Sequence, residues 1–160
     1  IDFNRNKRLI SYQKSLRERV LILQKPSNKN QESWLSVVEN KISELGTAIT
    51  LARHEAIDFF NNAIDSFESH FPKSKLQIID DTELVATNYN ALKIEQLYQE
   101  KLKTNRGRDK EAFKTHFGIH RSDFSAIFLD KNSSANFAST GEQKSILRRL
   151  SFASPQVSNH

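Results

Sequence analysis

The residues with the most chemical reach in this chain are Ser139-Thr140-Gly141-Glu142-Gln143-Lys144, a small polar turn running into a helix-forming stretch. A serine hydroxyl, a glycine N–H and the free amides of a helix start can converge there on a phosphate, and the helix dipole favours the negative charge. The same six residues also read as an ordinary helix cap. Ser139 with Glu142, and Thr140 with Gln143, each match the S/T-x-x-E/Q capping box, in which side chains satisfy the orphan N–H groups of the first turn. On these residues alone both readings stand.

Other chemistry is sparse. His116 and His120 have the four-residue spacing of a helical zinc pair, but Gly118 lies between them and no glutamate follows the first histidine. His120-Arg121 reads as part of the turn entering the strand, or as approaching the Ser139–Lys144 turn, and no metal site is expected. No Ser-His-Asp or paired-carboxylate arrangement stands out, so no catalytic residue is assigned. The basic residues Lys14, Arg17 and Arg19, with Arg106 and Arg108 further on, are candidates for DNA contact. Neutralising phosphates needs only positive charge on a suitable surface, so the alternative for each is a solvated helix face. Most phenylalanines fall on apolar stripes and read as core rather than as base-stacking platforms.

Composition sets the frame for these candidates. At 160 residues the chain suits one ordinary domain or two small subdomains. Charged residues make up 27% and apolar residues 37%, a balance that fits long solvated helices. The net charge of +5 favours an anionic partner, although only mildly. With no cysteine, a disulfide framework and a thiolate metal site are both excluded, and a reducing, cytoplasmic setting is expected. No window approaches the roughly 18 apolar residues of a membrane-spanning helix. The chain has no methionine, even at position 1, and reads as an internal piece of a longer translation product.

Periodicity predicts the elements that must hold these residues. Leu9, Tyr12, Leu16, Val20 and Leu23 recur at helical steps up to a break at Pro26. A second helix is expected from about Ser33, with a stripe through Leu35, Val38, Ile42, Leu45, Ile49 and Ala52 on to Ala63. Its regular alternation of three- and four-residue steps asks for a partner helix. The first arm is the shorter, so Phe59, Phe60, Ile64, Phe67 and Phe71 are expected to pack on polypeptide outside the hairpin. Beyond Pro72, a strand is predicted at 75–80 and a helix at 91–103 with Leu92, Leu97 and Leu102 inward. A basic loop at 103–108, a short helix at 109–116 and a strand at 125–129 complete the series.

Three segments in this order resemble the RecF family of recombination-repair proteins, relatives of the SMC and Rad50 ATPases. They are Tyr12 to Arg19, similar to the family's Y-x-x-x-L-R-x-R stretch; Trp34 to Glu55, with Glu44-Leu45-Gly46; and Gly118 to Phe124 followed by Ala138 to Lys144. The similarity is read as extending to about Ser145. Two departures stand out: Ile119 occupies a position where the family usually has proline, and after Ile146 adjacent Arg148 and Arg149 break the expected apolar helix.

The resemblance implies an α+β fold, mainly α with some β: a long antiparallel helical hairpin arm over 1–72 and part of an ABC-ATPase-like head over 73–160. It implies that ATP, with Mg2+, is sandwiched between two heads of a homodimer. Ser139, Thr140, Gly141, Glu142, Gln143 and Lys144 would then form a signature that meets ATP held by the other copy. It further implies binding to DNA at single-strand/double-strand junctions, partner recombination mediators, support of recombinase loading and the SOS response, and no membrane. No G-x-x-x-x-G-K-[ST] occurs in the chain, so it is not expected to bind or hydrolyse ATP alone. The competing readings are a coiled-coil interaction module and a small basic nucleic-acid-binding protein without nucleotide dependence.

Overall fold

The computed structural model describes residues 3–66, 74–79, 90–128 and 133–134. These fall into two compact units, one drawn from residues 1–52 and 80–122, the other from 53–79 and 123–160. The second long helix contributes residues to both units.

In the first unit, helices α1 (Phe3–Leu23) and α2 (Lys29–Ser66) form the expected hairpin. Their junction is sealed by two amide side chains. Asn28 Oδ1 accepts the Gln31 N–H at 2.8 Å, which starts α2 at Lys29, four residues before Ser33. Gln31 Nε2 donates back to the carbonyls of Ile22 and Lys25 at 2.8 and 2.9 Å, satisfying acceptors at the end of α1.

Tyr12, Ile22 and Leu23 of α1 meet Leu35, Val38 and Ile42 of α2 in one core cluster. The buried face of α1 also carries Ser15 and Arg19, whereas Leu9 is partly exposed. Polar residues on the inner face are invisible to a hydropathy stripe.

Helix α3 (Ala91–Thr104) begins at Asn90, whose side chain accepts the Lys93 N–H. It buries Ile94, Tyr98 and Leu102, a true four-residue step, while Leu92 is 63% exposed. Of the expected inner face, Leu102 is buried and Leu97 packs against the core, so only Leu92 is corrected. Steps of five advance about 500°, and such a series drifts off one side of a helix. Only Asn105 separates α3 from α4 (Arg106–Ala112), so the expected basic loop is almost wholly helical. Phe113, in the left-handed region at φ 53°, ends α4, and a 3₁₀ turn at Ile119–Arg121 follows.

In the second unit, β1 (Ser74–Ile79) pairs antiparallel with β2 (Asp123–Phe128), from Ser74 opposite Phe128 to Ile79 opposite Asp123. β3 (Ser133–Ser134) adds a short third strand on β2. Asn61 of α2 clips this sheet: its Oδ1 accepts the Leu76 N–H at 2.7 Å and its Nδ2 donates to the Leu76 carbonyl. Of the aromatic-rich stripe, Ile64 is buried within this chain and Phe59 is half-exposed. Phe67 and Phe71 lie outside the described residues.

Candidate nucleic-acid interface

Arg19 decides what kind of site lies beside the α1–α2 turn. Seven residues after Tyr12, it sits on the same inner face of α1 and is fully buried. Its guanidinium is divided among four partners: Nε donates to Glu39 Oε1 at 3.0 Å, Nη1 to Asp109 Oδ2 at 2.7 Å and to Thr115 Oγ1 at 3.0 Å, and Nη2 to the Leu102 carbonyl at 2.7 Å. One side chain thus ties α1 to α2, the end of α3, α4 and the turn beyond.

The carboxylates are equally occupied. Glu39 also accepts from Arg106, with Nη2 to Oε2 at 2.6 Å. This hydrogen bond holds the Arg106 guanidinium above its ordinary pKa, against burial, with further help from the negative charges of Glu39 and Glu32. Asp109 Oδ1 accepts the His116 backbone N–H at 3.1 Å and its ring Nδ1 at 2.7 Å. A carboxylate only accepts, so Nδ1 of His116 carries the hydrogen. Two arginines against two carboxylates leave the cluster internally matched, the condition under which buried charges are tolerated.

Above this cluster His120 is held at both ring nitrogens. The Thr115 carbonyl accepts from Nε2 at 3.0 Å, and Nδ1 lies 3.1 Å from the Tyr12 hydroxyl. With hydrogen on Nε2, Nδ1 accepts the Tyr12 O–H. Gly118 reaches φ 135° beside them, and a Cβ there would lie 2.3 Å from the Tyr12 oxygen. His116 and His120 are therefore turn anchors, and no group of three or more metal-ligating side chains occurs among the described residues.

The DNA candidates separate accordingly. Arg19 is corrected: with no exposed surface and its donors engaged inside the protein, it cannot reach a phosphate. Arg106 is half-buried and leans on Glu39. Lys14 and Arg17, three residues apart on α1, and Arg108 on α4 are exposed. The signature residues Ser139, Thr140, Gly141, Glu142, Gln143 and Lys144 lie outside the described residues. The pattern missed Glu39, Asp109 and Thr115 altogether. The seven-residue spacing of Tyr12 and Arg19 was the available hint that Arg19 points inward.

Comparison with known proteins gives a consistent class. No family model matches the chain. Among solved structures, two described as the recombination mediator protein RecF in the RecFOR pathway share the fold. The ATP complex gives a TM-score of 0.80 over 96% of this chain and 41% of that one, at 23% identity. The ATPrS complex gives 0.78 over 95% and 41%, at 20% identity.

Curated relatives carry the resemblance further. The chain is 36% identical over 155 residues to the DNA replication and repair protein RecF of Brucella abortus (strain 2308), covering 96% of this chain and 40% of that protein. It is 37% identical over 139 residues to the RecF of Rickettsia prowazekii (strain Madrid E), covering 87% and 38%. The chain is thus similar to RecF proteins across a region about two-fifths of their length. At 96% of 160 residues the Brucella match runs past Ser145, so the expected end of the similarity there is corrected. No helix among the described residues is long and apolar enough to cross a membrane.

Proposed function

We propose that this chain serves DNA repair as the helical arm and part of the ATPase head of a RecF-like protein. The observation that carries the proposal is the 36% identity maintained over 96% of the chain to a DNA replication and repair protein. On this reading Ser139 gives its hydroxyl and Gly141 its N–H to ATP, with Mg2+, held on a second copy of the head. Thr140, Glu142, Gln143 and Lys144 complete that helix start, and Lys144 adds positive charge on its first turn.

The arm and α4 present Lys14, Arg17 and Arg108 to DNA phosphates. Binding at single-strand/double-strand junctions, with mediator proteins as partners, supports recombinase loading and the SOS response in the cytoplasm. The buried Arg19 cluster ties the helices together near the α1–α2 turn while these surface cations make the contacts.

Competition between labelled substrates tests the DNA reading. A gapped duplex should displace a blunt duplex and a single strand of equal length from the protein. Equal competition by all three would overturn the junction preference, and failure to bind any of them would overturn the DNA reading itself.

A further inference from the structure

Between the first turns of α2 and the last turn of α3 the first unit has an open cleft of about 650 Å³. All nine residues lining it are polar or charged, and none is aromatic. Small-molecule sites are mostly apolar with a few placed polar groups, so this lining suits a different ligand. Two ammonium groups, Lys29 and Lys103, face it together with the Ser33 hydroxyl and the amides of Asn40 and Gln99. None of these five side chains is hydrogen-bonded to another described residue. The donors are concentrated in one groove without a partner among the described residues.

We infer that this cleft seats the sugar-phosphate backbone of duplex DNA, an inference that rests on the DNA-binding reading above and assigns it a place. Charge supports the assignment. Of the two acidic residues in the lining, Glu39 is buried and already held by Arg19 and Arg106. Its charge is cancelled before a ligand arrives. Glu32 is exposed and remains the one opposing charge in the lining.

Length agrees as well. From Lys29 to Asn40 the α2 side of the cleft runs ~16 Å at 1.5 Å per residue. That is room for about five phosphates of one strand at 3.4 Å each along the axis. Without an aromatic platform the cleft cannot stack bases, which favours a duplex backbone over a single strand. Contacts of this kind position DNA without reading its sequence.

Anisotropy titrations of the chain with a labelled duplex and a labelled single strand, across a salt series, test the assignment. Lys29→Ala with Lys103→Ala should weaken duplex binding at least tenfold and flatten the slope of log K against log salt by about 1.8, two contacts at about 0.9 each. Glu32→Gln should tighten duplex binding. Both changes lie on exposed side chains outside the Arg19 cluster, and unchanged circular dichroism confirms the fold. A wild-type chain that binds duplex while the double variant keeps its slope would overturn the cleft and leave the DNA reading standing. A wild-type chain that binds no duplex would overturn both.

Discussion

Gly46 of α2 lies directly under the ring of Tyr98 on α3, so close that a Cβ at position 46 would stand 2.4 Å from Cζ and 2.7 Å from the hydroxyl oxygen. The same hydroxyl accepts the Ile119 N–H at 2.8 Å, and the Tyr98 ring meets Phe117 edge-on. A missing side chain on one helix therefore lets another helix hold the turn that leads into β2.

Gly46→Ala accordingly separates packing from propensity. Alanine is the better helix former by about 1 kcal/mol, yet overpacking costs about 1–3 kcal/mol. Urea denaturation should show the variant less stable than wild type. In a Tyr98→Leu background, itself destabilised by the lost Ile119 hydrogen bond, the Gly46→Ala loss should be smaller, a coupling that separated positions lack.

Replacing Arg19 tests the buried cluster. Arg19→Met strips Glu39 and Asp109 of a partner where both are buried, and breaking a buried pair from one side costs about 3–5 kcal/mol. Arg19→Lys should recover little, since one ammonium cannot span the four acceptors of the fork. By contrast Lys14→Ala, on the exposed side of α1, should stay within about 0.5 kcal/mol of wild type. Equal losses for Arg19→Met and Lys14→Ala in denaturation would contradict the structure.

Gly118 offers a test of the turn. At φ 135° an L-residue is strained, and its Cβ would also meet the Tyr12 oxygen. Gly118→Ala should lower stability by more than the ~0.4–1 kcal/mol that the same replacement adds where the backbone suits alanine. Tyr12→Phe removes the oxygen in the way, so in that background Gly118→Ala should lower the thermal midpoint by less than it does in wild type. No such relief would mean that backbone strain alone sets the loss.

These residues also show what the sequence made legible. The hairpin, both long strands and the α3 segment could be read because apolar periodicity and proline placement are local signals. The boundary at Lys29 required the Asn28 and Gln31 side-chain bonds, which a break at Pro26 does not reveal. Basic residues at 103–108 suggested a loop, yet Asn105 alone interrupts the helices, since charge is no bar to helix formation. Arg19 misled most. An arginine reads as surface until its partners are known, and Glu39 and Asp109 lie 20 and 90 residues away in the chain. Gly46 was read as part of a family motif, but its contact with Tyr98 is a tertiary fact.

The central claim is that Ser139 and Gly141 serve ATP bound by another copy of the head. Sedimentation velocity on a mixture of this chain with a P-loop-bearing N-terminal segment of a RecF relative tests it most directly. A complex that forms with ATP and Mg2+, and is lost in Ser139→Arg, is the predicted result. Association of equal strength with and without ATP, indifferent to Ser139→Arg, would contradict the account.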